Sequence, residues 1–413
     1  MTPDTESLPV AVIGAGAAGL MAALCAARAG SEVILLESTA DGGRKILISG
    51  GGRCNVLPSV AQPERYVTDS SPNTLRNILH SWPLEEQRAF FEQELSLPLV
   101  LEEESGKLFP ASQKARDVRD GLVSAVRAAG AKIWFGAQVT DVSPAPDHGP
   151  ESPRWTIDIA GALPLQARAV IVATGGLSVP ATGSDGRGLQ IVEALGHTLN
   201  PTYPALTPLT ADPHPHADLA GISKPVTIFA PGTKPPFLTT GGFLITHRGW
   251  SGPSVLDASH LAIRGRPAGT RQELLVAWTD TSPDDWHEIL QSPQGTVRSS
   301  ITEHLPRRLV DGLLAEIDVD GATPLSQLRK EHRRAVVQVL TEYRLPWTGD
   351  EGYKKAEVTG GGVALSEIDS RTMESRRASG LFLCGEILDA FGPIGGHNFL
   401  WAWATGRAAG RGV

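Results

Sequence analysis

Three groups of residues along this 413-residue chain have the types and spacing to bind a dinucleotide. The first, Gly14-Ala15-Gly16-Ala17-Ala18-Gly19, turns the chain tightly and lets backbone N–H groups come close to a pyrophosphate. A helix that begins at Ala17 would point its positive end at the same anion. Glu37 follows at the end of the next apolar run and can accept hydrogen bonds from ribose hydroxyls. This arrangement predicts a site for the ADP part of a dinucleotide.

The two later groups favour FAD as that dinucleotide. Ala173-Thr174-Gly175 and Gly385-Glu386 each follow a short apolar run, and the ligands of open α/β sheets lie at the carboxyl ends of such strands. Gly395-Gly396 precedes a predicted helix over Asn398–Ala408. The sequence contains no second G-x-G-x-x-G with a following acid, so a separate NAD-binding domain is not expected. The three groups predict one FAD site to which both ends of the chain contribute.

Other glycine-rich segments extend the predicted FAD site. Gly43-Arg44-Lys45 follows the second predicted strand, where the chain could wrap the adenosine end. Gly51-Gly52-Arg53-Cys54-Asn55 holds too much glycine for a helix interior and offers a backbone surface to a flat or anionic group. The N-terminus of the last helix would stabilise a negatively charged reduced flavin. The predicted cofactor contacts are Gly14, Gly16, Ala17, Ala18, Gly19, Glu37, Gly43, Arg44, Lys45, Gly51, Gly52, Arg53, Cys54, Asn55, Ala173, Thr174, Gly175, Gly385, Glu386, Gly395, Gly396, His397, Asn398 and Phe399.

Several candidate residues of the sequence have more than one possible role. Glu37 could be a solvated acid at a strand end, and Glu386 could be a loop carboxylate instead of a ligand of the ribityl or phosphate region. Cys54 could be an acid near the flavin, although free cysteine is usually a small buried apolar residue. His247, beside Arg248 in a Thr-His-Arg-Gly turn, could donate a proton, bind an anionic substrate or only cap the loop. Cys54 and His247 are therefore the candidate catalytic residues, and no metal site is expected.

The elements that position these residues have an α/β pattern. Pro9–Ile13 and Val33–Leu36 are apolar runs typical of buried parallel strands. Between them, the Ala- and Leu-rich segment Ala17–Ala29 predicts a helix that ends before a glycine. The runs that begin at Val170 and Leu381 predict further strands of the same kind.

The character of the chain changes near Asn200 and changes back near Ala356. The middle part is first broken by prolines with short β-like runs, and then carries leucines at helical spacing. The predicted division is an FAD domain over 1–199 and 357–413, with an insert over 200–356 that is β-rich over about 200–280 and helical over 281–345. A proline cluster over Pro144–Pro153 predicts a surface loop between two strands.

Composition limits the classes of function. The formal net charge of −8 at pH 7 excludes a globally basic nucleic-acid surface. The three cysteines have no close pairing and no metal-ligand spacing, which fits a reducing compartment. The start, Met1-Thr2-Pro3-Asp4, is not typical of a secretory signal, and no apolar run reaches the ~20 residues of a membrane span. We therefore expect a cytoplasmic enzyme that does not bind membranes.

A wider set of motifs resembles one flavoprotein family. The most specific stretch is Arg44–Asn55, with the sequence R-K-I-L-I-S-G-G-G-R-C-N. The other matching stretches are Ala173–Ser178, Thr246–Gly249, Ser251–Pro253, His304–Pro306, Ala356–Thr359, Gly361–Val363, Arg371–Ser375, Gly395-Gly396 and Asn398-Phe399. Together they are similar to the YhiN/BaiN-type flavoproteins, also called aminoacetone-oxidase-family FAD-binding enzymes. The chain departs from the family pattern at Val56-Leu57-Pro58, where Thr-Asn is usual, and at His397, where tyrosine is frequent.

The resemblance implies a fold and a reaction type. The fold would be a Rossmann-like FAD domain of the glutathione-reductase type with an inserted β-barrel and a helical subdomain. The FAD would be non-covalent, and NAD(P)H would be a transient electron donor. The acceptor would be either a uracil base in large-subunit ribosomal RNA, reduced to dihydrouridine, or a small amine or carbonyl compound.

An RNA substrate would require the base to leave its stack, and arginine clusters of the insert such as Arg333-Arg334 would hold phosphates. A flavin-loaded binding factor without catalysis is a third alternative. We favour the ribosomal RNA substrate, because the resemblance covers the insert as well as the FAD domain.

Overall fold

A computed structural model of the chain describes residues 8–146, 154–264 and 271–413. The chain divides into two compact units, of which the first comprises residues up to Thr202 together with Val358–Val413, and the second is Tyr203–Glu357. The insert was predicted over 200–356, so each boundary differs by a few residues or fewer. The tip of the predicted loop over Pro144–Pro153 and the start of the chain lie outside the described residues.

The helices and strands are numbered here in chain order. They are β1 Val10–Ile13, α1 Ala17–Arg28, β2 Val33–Glu37, α2 Arg44–Ile48, β3 Leu57–Pro58, α3 Pro72–His80, α4 Leu84–Ala89, β4 Leu99–Glu102, β5 Lys107–Pro110, α5 Ala115–Ala128, β6 Lys132–Phe135, β7 Val139–Pro144, β8 Trp155–Ile159, β9 Leu165–Ala167, β10 Ala169–Val172, α6 Arg187–Ala194, β11 Leu199–Ala205, β12 Leu209–Thr210, β13 Ser223–Ala230, β14 Phe237–Ile245, β15 Gly249–Ser251, α7 Pro253–Arg264, β16 Leu275–Ala277, α8 Pro283–Ile289, α9 Val297–Thr302, α10 Arg307–Glu316, α11 Lys330–Thr341, β17 Tyr343–Arg344, β18 Gly349–Asp350, β19 Val358–Val363, β20 Leu381–Leu383 and α12 His397–Gly412.

The first unit is built on a parallel sheet. Within the described residues its strands follow the order β20-β10-β1-β2-β6, with β1 paired to β10 on one side and to β2 on the other. All residues of β1, β2 and β10 are buried, which explains why these strands are continuous apolar runs and do not alternate. The prediction of an α/β fold of the Rossmann type is confirmed.

The two ends of the chain meet in this unit through two helices. α12 lies against α1, and glycines of α12 allow the close approach: a Cβ on Gly406 would lie 2.4 Å from the carbonyl oxygen of Ala18, and one on Gly410 would lie 2.3 Å from that of Ala22. Any larger residue at these positions would force the helices apart. Because α1 begins at the predicted phosphate loop, this packing fixes the C-terminal segments next to it.

The second unit has its own core of antiparallel strands and helices. Within the described residues its sheet follows the order β17-β16-β13-β14-β15-β12-β18. Large aromatic side chains, among them Trp250, Trp278 and Trp286, are fully buried there. The helices α8 to α11 cover 283–341, close to the predicted helical range. Among the described residues of either unit, no helix has both the length and the apolar character of a membrane span.

Candidate functional site

The three glycines of the first motif have different physical roles. A Cβ on Gly14 would lie 2.6 Å from the carbonyl oxygen of Ala173, and one on Gly19 would lie 1.8 Å from that of Gly14. These two residues must be glycine for β1, α1 and β10 to pack. Gly16 is different, because a Cβ there would meet nothing within 4 Å, and its φ of −78° suits any residue. The space beside Gly16 is therefore open at the N-terminus of α1.

The N-terminus of α1 has unsatisfied donors. No side chain caps the helix, so its first N–H groups have no partner within it. The helix has no acidic residue in its first turn, which leaves its positive end uncompensated. The open space and the free donors fit a pyrophosphate, and Gly16, Ala17 and Ala18 are the residues that would hold it.

Glu37 lies at the end of β2 and is 7% exposed. Its Oε2 accepts a hydrogen bond from the N–H of Ala15 at 2.7 Å, and its Oε1 accepts two from Thr39, from N–H at 2.8 Å and from Oγ1 at 2.6 Å. The carboxylate therefore holds the glycine turn in place through the N–H of Ala15. It can also accept a hydrogen bond from a ribose. Oε2 has one protein donor among the described residues and can accept another hydrogen bond.

The segment after β2 is fixed by a buried arginine. Arg119, on α5, donates to the carbonyl oxygen of Asp41 at 3.1 Å, and its Cγ would lie 2.5 Å from a Cβ on Gly43. Gly43 has a φ of 62° and must be glycine for both reasons. The carboxylate of Asp41 pairs with Arg44 at 2.9 Å and with Arg119 at 3.9 Å.

Lys45 joins three segments that are far apart in sequence. Its Nζ donates to Oε2 of Glu386 and to Oγ of Ser178, each at 2.6 Å. Oε1 of Glu386 accepts from Oγ of Ser178 at 2.7 Å and from the N–H of Thr359 at 3.0 Å. The carboxylate predicted to contact the ribityl region is thus already held by a half-buried lysine, a hydroxyl and a backbone amide.

The segment Gly51–Asn55 combines open backbone with a fixed arginine. Gly51 and Gly52 are exposed with positive φ, and a Cβ on Gly51 would meet nothing within 4 Å. The guanidinium of Arg53 lies 4.0 Å from the ring centroid of Phe109 and pairs with Glu102 at 2.9 Å. The backbone of Gly51 and Gly52 is therefore accessible to a ligand, while the contacts of Arg53 with Phe109 and Glu102 hold the segment in place.

Cys54 is fully buried and has a φ of 62°. Burial raises the pKa of its thiol to about 12, so the group stays protonated throughout the physiological range. These features resemble those of a packing residue, and its role as a proton donor stays a prediction.

The remaining motifs lie at the ends of β10 and β20 and at the start of α12. Gly385, which follows β20, donates its N–H to Oγ1 of Thr405 at 3.0 Å and approaches Ala18 of α1. After β10, Oγ1 of Thr174 is buried and has no hydrogen-bond partner among the described residues. This hydroxyl lies against Gly188 of α6, where a Cβ would come within 1.8 Å of Oγ1, so the close packing of β10 on α6 accounts for its position.

The first turn of α12 contains a second orphaned group. His397 is 5% exposed, and its Nδ1 has no partner in the described part of the chain. Burial, with a contribution from the nearby Arg65, lowers the pKa of His397 to about 4, so the ring is neutral at pH 7. Gly396 must be glycine, since a Cβ there would lie 2.5 Å from the backbone of Leu57.

The next two residues of α12 hold the turn before it. Asn398 pairs with both backbone groups of Gly392, at 2.9 and 3.0 Å, and Phe399 stacks on Trp403. Their side chains therefore have structural contacts, and their role towards a cofactor stays a prediction.

His247 lies in the second unit, in the exposed turn between β14 and β15. Its neighbour Arg248 pairs with Glu351 at 3.5 Å. The hydroxyl of Thr246 accepts from the N–H of Arg248 at 3.3 Å, which fixes the turn. The structure therefore gives Arg248 a partner within its own unit and leaves the role of His247 as a prediction.

The predicted cofactor contacts all lie in the first unit, and those that directly follow β1, β2, β10 and β20 lie at the carboxyl edge of its parallel sheet. Three other residues were not predicted as site residues: Arg119 beneath Gly43, and Ser178 and Thr359 around Glu386. Ser178 and Thr359 lie in stretches that carried the family resemblance, which was the available signal. The open space at Gly16 and the uncapped start of α1 together fit the pyrophosphate of an FAD molecule.

Comparison with known proteins shows the family of this chain. The family model described as the HI0933-like protein Rossmann domain matches residues 8–412. The chain is 32% identical to the ribosomal RNA dihydrouridine synthase of Escherichia coli, over 98% of this chain and 97% of that protein. It is 34% identical to the ribosomal RNA dihydrouridine synthase of Haemophilus influenzae, over 96% of each chain. It is 31% identical to the 3-dehydro-bile acid delta(4,6)-reductase of Clostridium scindens, over 97% of this chain and 98% of that protein. The chain belongs to the HI0933-like family and is an FAD-dependent oxidoreductase.

Proposed function

We propose that this enzyme reduces a uracil base of large-subunit ribosomal RNA to dihydrouridine, with NAD(P)H as the electron donor and non-covalently bound FAD as the carrier. The observation that carries the proposal is the extent of the match to the relatives from E. coli and H. influenzae. The match covers at least 96% of this chain and therefore includes most of the second unit as well as the FAD unit.

The reaction sets the requirements for the protein. Reduction of the uracil double bond adds a hydride to one ring carbon and a proton to the other, while NAD(P)H is oxidised to NAD(P)⁺. Bound FAD supplies the hydride transfer. The residues of this chain must bind the cofactor, orient it and make a proton available.

Binding and orientation belong to the first unit. Gly16 and the start of α1 would hold the pyrophosphate, and Oε2 of Glu37 would accept a hydrogen bond from the adenosine ribose. The ion pair between Lys45 and Glu386 ties α2 to the turn after β20, so it fixes two walls of the cofactor site. The neutral His397 and the N-terminus of α12 would hold the flavin end, and this helix end, which has no acidic residue in its first turn, would stabilise negative charge there.

Two residues are candidates for the proton. Cys54 is a weak acid in its buried position, because burial raises the pKa of the thiol to about 12. His247 is exposed to solvent in the turn between β14 and β15. We therefore favour His247 over Cys54. A loss of reduction in His247→Gln with FAD content unchanged, together with retained reduction in Cys54→Ala, is the expected result; the reverse would assign the proton to Cys54.

The C. scindens relative supports a second candidate function. Its name describes a reductase of a small molecule, and its identity to this chain is close to that of the E. coli relative. A small carbonyl or amine compound would then be the acceptor, and the second unit would shape its pocket.

One experiment separates these functions. Nucleosides from large-subunit ribosomal RNA are compared by mass spectrometry between wild-type cells, a strain that lacks the gene, and that strain complemented with wild-type protein or with Gly16→Val. We expect dihydrouridine to disappear in the deletion strain and to return only with the wild-type protein. Unchanged dihydrouridine in the deletion strain would remove the ribosomal RNA function, and turnover of a small ketone by the purified enzyme would then support the second candidate. A pure protein that carries FAD and reduces neither would support a binding factor.

A further inference from the structure

The strongest positive patch of the second unit lies at the start of α11. Arg329, Lys330, Arg333 and Arg334 follow each other within six positions, and Glu331 is the one acid among them. Three of the four cations are exposed, and Arg333 is half-buried. We call these four residues the α11 cluster.

The α11 cluster has no acidic partners among the described residues. Other arginines of the unit are paired: Arg298 with Asp311 at 2.6 Å, Arg248 with Glu351 at 3.5 Å, and Arg344 with Glu273. The unit as a whole is not basic, so an unpaired group of four cations is a local feature that its general composition does not explain.

The helix itself increases the positive potential of the cluster. Cations are ordinarily favoured near the C-terminus of a helix, and here they lie at the N-terminus, where they add to the positive end of the dipole. Arg329 is the N-cap residue and no side chain caps the helix. The cost of this repulsion is relieved when an anion binds.

Packing directs the cluster outwards. The buried residues of α11 begin at Val336, so the first half of the helix holds the cations and the second half holds the core contacts. Lys330 and Arg334 are one helical turn apart and lie about 6 Å from each other on one face. A row of cations with this spacing can contact successive phosphates of a polynucleotide.

We propose that the α11 cluster is a contact surface for the phosphate backbone of RNA, which positions the substrate without reading its sequence. The inference rests on the proposed ribosomal RNA function and adds the surface that holds the substrate. A protein with an overall charge of −8 can bind RNA in this way, because a few local phosphate contacts are sufficient and a globally basic surface is not required.

The test measures binding of the FAD-loaded enzyme to protein-free large-subunit ribosomal RNA as a function of salt. Each phosphate contact contributes about 0.7 to the slope of log K against log salt for a single strand, so the double variant Arg333→Gln/Arg334→Gln should reduce the slope by about 1.4. The charge-reversed variant Arg333→Glu/Arg334→Glu should weaken binding by about tenfold or more. FAD content and NAD(P)H oxidation with an artificial acceptor should stay unchanged in both.

The matched control is Arg76→Glu/Arg116→Glu, which makes the same change of net charge at two exposed arginines of the first unit. We expect it to keep most of the RNA affinity. Equal weakening by the control and the cluster variants, or unchanged binding and slope in the cluster variants, would overturn the inference.

Complementation separates the inference from the function on which it rests. If wild-type protein restores dihydrouridine in the deletion strain and the charge-reversed cluster restores it fully as well, the surface is wrong and the function stands. If wild-type protein does not restore it, the function is wrong, and the binding experiment alone still decides whether the cluster contacts RNA.

Discussion

The three glycines of the first motif differ in what a side chain on each would meet. Gly14 and Gly19 are needed by the fold, because a side chain on either would collide with backbone of its own unit. Gly16 differs from them, because a side chain there would meet open space, and this is the space that we propose for the pyrophosphate. This difference is invisible in the motif, where the three glycines look equivalent.

The first prediction uses this difference. Gly16→Val should fold with the stability of the apo wild type but lose FAD, because the valine would occupy the position in which the pyrophosphate meets the backbone. Gly19→Val should fail to fold or be strongly destabilised, since its Cβ would lie 1.8 Å from the carbonyl oxygen of Gly14. The measurements are FAD released by heat, identified by chromatography, and circular dichroism. A yellow Gly16→Val protein with full FAD content would contradict the site.

Several elements of the first unit are joined by contacts between residues that are far apart in the sequence. Lys45 and Glu386 are 341 positions apart, and their ion pair ties α2 to the turn after β20. His197, between α6 and β11, is held in the same manner: its Nδ1 lies 2.9 Å from Glu367 and its Nε2 lies 3.0 Å from Ser375. Glu367 also accepts a hydrogen bond from the N–H of Thr198 at 2.9 Å, directly before β11.

The second prediction concerns the pH dependence of this Glu367 contact. Burial alone would raise the pKa of Glu367, but hydrogen bonds from Arg377, Thr198 and His197 outweigh it and lower the pKa to about 2. A lowered carboxyl pKa stabilises the fold above the ordinary value of 4.5, and this stabilisation is lost as the pH falls towards 2. Glu367→Gln should therefore cost about 1.5–3 kcal/mol at pH 7, and the difference from wild type should shrink between pH 4.5 and 2.

Denaturant unfolding at pH 7, 5 and 3 checks this prediction, with the exposed Glu193→Gln as the control. The control should match wild type at each pH. A constant difference between Glu367→Gln and wild type across this range would show that the carboxylate does not contribute through its charge.

The sequence predicted those helices and strands that are specified by a short, local sequence pattern. β1, α1 and β2 were found within a residue or so, because an apolar run, a glycine turn and an Ala-rich helix have distinct patterns. The last helix was predicted over Asn398–Ala408, and the structure shows it over His397–Gly412. The prediction stopped early because glycine has a low helix propensity, whereas the glycines of α12 are present for close packing against α1. The partners of Glu386 could not be predicted, because contacts between distant segments leave no spacing in the sequence.

The whole molecule consists of two units with separate cores. The buried apolar residues of the first unit form one cluster, and those from Leu209 to Trp347 form the other. The chain leaves and re-enters the first unit at neighbouring points, since the N–H of Ala364 donates to the carbonyl oxygen of Thr198 at 3.2 Å. The second unit therefore has the connectivity of a domain inserted into a complete FAD domain.

The third prediction follows from this connectivity. Replacing residues 203–357 by a Gly/Ser linker of about six residues should give a folded, yellow protein, because the linker joins the paired strands β11 and β19 and the change removes no residue of the first core. This shortened protein should retain FAD and lose both RNA binding and RNA reduction, because the α11 cluster and His247 are absent. FAD content, far-UV circular dichroism and the salt-dependent RNA binding measurement check the three parts. A colourless or unfolded product would show that the FAD unit depends on the insert, and full RNA affinity would place the RNA surface on the first unit instead.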